Sequence, residues 1–129
     1  MHRAVCLLID DDIDDREIFE LAAGQADQSV KCVFAKDGVD ALEQLRYVAF
    51  IPQYIFLDLN MPRMSGKQCL AEIRKMPEFD HVPVVIYSTS GDSSELEEVR
   101  RLGATDYLVK QPSISALSEA LAEFFQKWK

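Results

Sequence analysis

Ala4-Val5-Cys6-Leu7-Leu8-Ile9-Asp10-Asp11-Asp12 is the stretch on which the reading of this chain turns. Six apolar residues run without a polar interruption and stop at a block of acids. A short, fully apolar run suits a strand buried on both faces, as in a parallel sheet covered by helices. The same device recurs downstream. Val30–Ala35 is apolar and β-branched, Tyr54–Leu57 runs into Asp58, Pro83 opens Val84–Tyr87 before Ser88, and Tyr107–Val109 runs into Lys110.

Between these runs lie stretches with helical spacing. Ile13–Ala23 places Ile18, Leu21 and Ala22 on one face. After Asp37-Gly38, the residues Val39, Leu42, Leu45 and Val48 recur, and Pro52 closes that unit. Ser65 caps a helix with Cys69, Leu70 and Ile73 inward. Ser93 or Ser94 precedes Leu96, Val99 and Leu102, and Gly103 stops the helix. Ile114, Leu117, Leu121, Phe124 and Trp128 form a final seam. Five βα units, (βα)5, predict an α/β fold: an open, five-stranded parallel sheet, doubly wound. A closed barrel needs about eight units.

The composition sets bounds. The 129 residues carry 14 Lys+Arg against 22 Asp+Glu, a formal net charge of −8. That balance argues against a nucleic-acid or anionic-membrane surface. Length and units predict one domain over residues 1–129 with no output domain. No apolar run approaches the roughly 20 residues of a membrane span, and Ala4–Ile9 is too short for a signal-peptide core. Cys6, Cys32 and Cys69 are odd in number, widely spaced and set among apolar residues, so they read as buried thiols of a cytoplasmic protein. His2 and His81 have no partner at metal-ligand spacing and read as surface residues.

In an open parallel sheet the ligand site lies beyond the carboxyl ends of the strands. There the chain places Asp10-Asp11-Asp12, then Asp58-Leu59-Asn60-Met61-Pro62, then Ser88-Thr89-Ser90, then Lys110. Taken alone, Asp10–Asp12 with Asp14-Asp15 also suits a solvated acidic helix start. The joint placement at four strand ends points further. Converging carboxylates raise one another's pKa values unless a cation intervenes, and oxygen ligands suit Mg²⁺. Acids for a metal, one carboxylate free to attack and a lysine for phosphoryl oxygens describe a phosphoryl-transfer site. No glycine-rich nucleotide loop is present.

This set resembles the receiver domain of two-component response regulators, the fold of the chemotaxis regulator, which implies a flavodoxin-like (βα)5 fold. The resemblance spans essentially the whole chain. It implies that Asp58 is the phosphoacceptor for a phosphoryl group carried by a sensor histidine kinase or a phosphotransfer protein. It implies Mg²⁺ held by Asp11 directly, Asp10 through water, Asp58 and the backbone carbonyl of Asn60, with Asp12 as a helix-start residue. It places Lys110 on a phosphoryl oxygen, or on Asp58 when that is unphosphorylated. Ser88 takes the hydroxyl switch position, with Thr89 and Ser90 as competitors. Tyr107 takes the aromatic switch position, or is a half-buried strand aromatic. Asn60 and Ser90 would tune the lifetime of the phosphorylated form. The family's lysine is usually followed by a cis proline; here Lys110-Gln111-Pro112 leaves either a trans bond and a differently aimed Lys110, or a costly cis bond.

Asp14-Asp15-Arg16, Asn60-Met61-Pro62-Arg63-Met64 and Ser88-Thr89-Ser90-Gly91 resemble stand-alone regulators related to cyanobacterial phytochrome response regulators, which implies a phytochrome-like kinase. Such regulators can dimerise, and Phe124, Phe125 and Trp128 offer an interface unless the helix spends them on its own core. The expected function is a non-enzymatic phosphorelay switch that signals to a downstream protein effector. The alternatives are a phosphorylation-independent interaction module and an aspartyl-nucleophile phosphatase. The phosphatase lacks its usual second acid, because Asn60 stands at that position.

Overall fold

The computed structural model describes residues 4–47, 51–61, 63–89 and 92–128. His2, Val48, Pro62, Ser90 and Gly91 therefore lie outside the described residues. Five strands, β1 (Ala4–Ile9), β2 (Val30–Ala35), β3 (Tyr54–Leu57), β4 (Val84–Ser88) and β5 (Asp106–Val109), alternate with five helices. These are α1 (Ile13–Ala26), α2 (Gly38–Tyr47), α3 (Gly66–Arg74), α4 (Ser93–Leu102) and α5 (Ile114–Lys127). The strands pair in parallel in the order β2-β1-β3-β4-β5. The order reverses between β1 and β3, and this crevice is where such folds bind ligands.

The alternation of side chains along each strand separates two cores. On one side Leu7, Ile9, Ile55, Leu57, Val84 and Ile86 pack with Ala41, Leu42, Leu45, Cys69, Leu70, Ile73 and Val99 of α2, α3 and α4. On the other, Cys6, Leu8, Tyr54, Phe56, Val85 and Tyr87 pack with Phe19, Ala22 and Ala23 of α1 and with Leu117, Leu121, Phe124 and Phe125 of α5.

Three expectations need correction. The inward face of α1 is Phe19, Ala22 and Ala23, whereas Ile18 and Leu21 are 38% and 57% exposed. Phe19 decides the rotation, because its ring meets Phe56 and Tyr87 edge-on at 5.0 and 5.5 Å. The cap of α4 is Asp92, not a serine: its Oδ1 accepts from the Ser94 N–H at 2.9 Å and from the Ser94 hydroxyl at 2.8 Å. Cys32 is only half-buried, because β2 is an edge strand. Of the two readings of the α5 aromatics, the internal one describes this chain: Phe124 and Phe125 are buried against Tyr54, with Phe124 also on Phe56 and Trp128 half-buried beside it.

Other signals read as anticipated. Ser65 caps α3 in a reciprocal capping box with Gln68. Gly103 ends α4 with φ 111°, a left-handed conformation that glycine adopts without strain. His81 is exposed. No helix of the described residues is long and apolar enough to cross a membrane.

Candidate functional site

Every strand that ends at the crevice delivers a polar side chain to it. β1 runs straight into Asp10, which is fully buried, and β3 into Asp58, which is 6% exposed. Asp11 stands beside them in solvent. One oxygen from each of Asp10, Asp11 and Asp58 lies within 4.8 Å of the others. Asp12 turns away to cap α1, accepting the Asp15 N–H at 3.1 Å. The Asp12 N–H in turn donates to Asp10 Oδ1 at 3.0 Å, which fixes the Asp10 carboxylate.

The β3–α3 connection is drawn tight over Asp58. Gly66 N–H donates to the Leu59 carbonyl at 2.9 Å. A Cβ on Gly66 would collide with the Asp58 carbonyl oxygen and stand 2.5 Å from Leu59 Cα, so only glycine fits. The Asn60 N–H lies 3.4 Å from Asp58 Oδ1, and the Asn60 side chain is exposed. The same connection is pinned to the start of α2, where Arg63 pairs with the buried Asp37 through a bond from Nε at 3.0 Å. Asp37 also accepts the Asp40 N–H at 2.8 Å. Arg63 has φ 67°, an uncommon conformation for a residue with a side chain. In the sequence Asp37 shows only as a turn signal before Gly38 and Arg63 only within the Asn60–Met64 run, and no spacing points to their pairing.

Lys110 enters from the end of β5, its backbone N–H donating to the Ser88 carbonyl at 2.8 Å. The Lys110–Gln111 bond is trans. The lysine still reaches the crevice, where its side chain is 14% exposed. Its Nζ donates to Asp15 Oδ2 at 2.7 Å and to Asp10 Oδ2 at 3.2 Å, and stands 3.8 Å from Asp58 Oδ2. The ammonium lies 5.2 Å from the centre of the Tyr87 ring. Resting Lys110 is thus ion-paired with Asp58, while its hydrogen bonds go to Asp15 and Asp10.

The electrostatics follow from burial. Burial pushes Asp58 up to about 6, Lys110 pulls it down, and Asp10 pushes it up again. Burial likewise raises Asp10, against the Asp12 N–H bond and Lys110. Burial would depress Lys110, but the carboxylates of Asp15, Asp10 and Asp58 hold it well above the usual lysine range. Three converging carboxylates, two of them buried and raised, are the donor set a hard divalent cation satisfies. The residues present fit Mg²⁺.

Ser88 closes β4, 1% exposed. Tyr107 is half-buried on β5, and its hydroxyl donates to Glu95 Oε1 on α4 at 3.2 Å while also meeting the Ser88 hydroxyl. Hydroxyl and aromatic are therefore in contact, and Tyr107 bridges the crevice to α4. A groove of about 680 Å³ opens beside it, between β5 and α5, lined by Tyr107, Leu108, Glu123 and Lys127. It lies apart from the acids.

The model of the response regulator receiver domain matches residues 6–122. Response regulator Rcp1 of Synechocystis is 26% identical over 96% of this chain and 88% of its own length. Chemotaxis protein CheY-3 of Vibrio cholerae is 31% identical over 72% of this chain and 70% of its own. The Regulator of RpoS of Escherichia coli is 34% identical over 76% of this chain, but the chain spans only 28% of that longer protein. Among solved structures, the phosphorylated cyanobacterial phytochrome response regulator RcpA superposes with TM-score 0.87 at 28% identity, covering 99% of this chain and 94% of its own. The Mn²⁺-bound form of Rcp1 superposes with TM-score 0.83 at 25% identity, covering 97% and 94%.

Proposed function

The chain belongs to the response regulator receiver domain family of two-component signalling, and on that premise we propose that it is a phosphoacceptor switch working through Asp58. The observation that carries the reading is the seat of Asp58. It is a buried carboxylate at the β1/β3 switch point, with two further acids within 4.8 Å and an ammonium at 3.8 Å. Asp10, Asp11, Asp58 and the Asn60 carbonyl would hold Mg²⁺. When bound, the ion would offset the acids and the charge on a phosphoryl group. The Mn²⁺-bound relative supports a divalent ion at a cluster of this kind.

The reaction uses few groups of the chain. An Asp58 carboxylate oxygen attacks phosphorus as the bond from phosphorus to the kinase's histidine nitrogen breaks, and that nitrogen keeps the electron pair. The product is an aspartyl phosphate. Lys110 supplies an ammonium to its oxygens, and Ser88 a hydroxyl. Because Ser88 already touches Tyr107, a move of Ser88 toward phosphate releases or redirects the Tyr107 bond to Glu95. That change alters the surface of α4, β5 and α5 that a protein effector reads. By the resemblance, Asn60 and Ser90 would tune the lifetime of the phosphorylated form. The relatives named for phytochrome signalling support a phytochrome-like kinase as the donor. The free thiols of Cys6, Cys32 and Cys69 support work in a reducing compartment such as the cytoplasm.

Phosphoramidate or acetyl phosphate with Mg²⁺ tests the proposal. Intact mass should rise by one phosphoryl group, about 80 Da, in a base-labile adduct that Asp58→Asn abolishes. No adduct on the wild type, or an equal adduct on Asp58→Asn, sinks it.

A further inference from the structure

We propose that Asp15 is a latch on Lys110: a positioning residue that holds the ammonium back from the phosphoryl site until phosphate draws it off. The proposal rests on the reading of Asp58 as phosphoacceptor and adds a regulator to that site.

The distances grade the three carboxylates around one ammonium. Asp15 takes the shortest contact at 2.7 Å, Asp10 the next at 3.2 Å, and Asp58 stands at 3.8 Å. The contact with Asp58 is an ion pair, while those with Asp15 and Asp10 are hydrogen bonds. Charge-assisted bonds of this length are strong for their kind. Asp10 has other claims on it, since it also accepts the Asp12 N–H. The Asp15 carboxylate has Lys110 as its near cation, at the outer rim of the crevice and one-third exposed.

The position of Asp15 follows from the rotation of α1. Phe19, Ala22 and Ala23 face the sheet, and Asp15 stands one turn before Phe19 on the same face. The helix therefore aims this acid at the crevice, unlike its exposed neighbour Asp14. Its backbone is fixed as well, because the Asp15 N–H is held by the Asp12 cap.

A phosphoryl group on Asp58 brings new anionic oxygens next to Lys110. The ammonium has a third donor for a phosphoryl oxygen, but drawing closer to Asp58 to use it exchanges the short Asp15 contact for a longer one. Asp15 opposes that exchange twice: it competes for the donor, and its charge repels the incoming phosphoryl group. The resting form gains stability from the contact and the phosphorylated form does not, so Asp15 biases the equilibrium toward rest.

The test compares wild type, Asp15→Asn and Asp15→Glu by rate of adduct formation with phosphoramidate and saturating Mg²⁺. Asp15→Asn keeps size and backbone but drops the charge. It should take phosphate about threefold to tenfold faster, an effect held down by the partial exposure of Asp15. Asp15→Glu keeps the charge and should return close to the wild-type rate, which a merely structural role would not produce. Thermal melts of all three ensure that folded proteins are compared; if Asp15→Asn does not fold, Asp15→Ser takes its place. An active wild type with Asp15→Asn unchanged or slower overturns the latch alone. A wild type that takes no phosphate overturns the phosphoacceptor reading and the latch with it.

Discussion

At the residue scale, the fold keeps a carboxylate where its charge is unwelcome. Asp58 is raised from its usual 3.8 to about 6, chiefly by burial. A carboxyl whose folded pKa is raised binds its proton more tightly folded than unfolded. Stability therefore falls as pH climbs through the window from about 4 to 6 and stays lower above it. The size is at most roughly 3 kcal/mol for a shift of this order. Asp58→Asn lacks the burden. With a chelator present, urea melts should show the variant no more stable than wild type near pH 4 and clearly more stable at pH 7. A difference that does not change with pH would remove buried charge as the cause.

The charged residues at strand ends were legible because each group follows directly on an apolar run: Asp10-Asp11 after Ile9, Asp58 after Leu57, Lys110 after Val109. Asp15 was not. It sits in a helix whose apolar residues occupy two faces, and the Ile18–Leu21 stripe was taken for the buried one. Rotating the helix onto Phe19 turns Asp15 from a solvated acid into a partner of Lys110. One error of facing hid one member of the site.

At the element scale, the helix caps were nearly readable and the loop ties were not. Ser65 has Gln68 three residues on, a local signature that needs no tertiary knowledge. Asp92 lost out to the serines beside it because all three are competent caps. The pairing of Arg63 with Asp37 joins residues 26 apart, and no local pattern carries it. The fit of Gly66 over Asp58 couples the start of α3 to the position of Asp58. Gly66→Ala should cost about 1–3 kcal/mol by overpacking and also slow phosphoacceptance, since the added methyl presses on the Asp58 carbonyl. Ser65→Ala should cost about 1 kcal/mol by uncapping the same helix while leaving phosphoacceptance nearly unchanged. Denaturant melts and adduct rates separate the two effects; a Gly66→Ala protein that loses stability yet accepts phosphate at the wild-type rate breaks the coupling.

At the scale of the whole molecule, two apolar cores clamp a sheet whose one edge is crowded with acids. The parallel sheet was legible from uninterrupted apolar runs, because two core faces demand apolar residues at most strand positions; its order β2-β1-β3-β4-β5 was not, since right-handed crossovers allow more than one order. The cost of the acidic edge is borne by the fold, so a cation that offsets it must stabilise the fold. By linkage, Mg²⁺ at a hundred times its dissociation constant adds about 2.7 kcal/mol. Asp58→Asn removes one of three carboxylates and must gain less. The two proteins should therefore change places or close ranks: without Mg²⁺ at pH 7.5 the variant melts higher, and as Mg²⁺ is added the wild type rises faster. Thermal melts across a Mg²⁺ titration, with Ca²⁺-free buffer and constant ionic strength, measure both slopes. Equal gains for the two proteins would mean that the cation binds elsewhere, and that Asp10, Asp11 and Asp58 are not its seat.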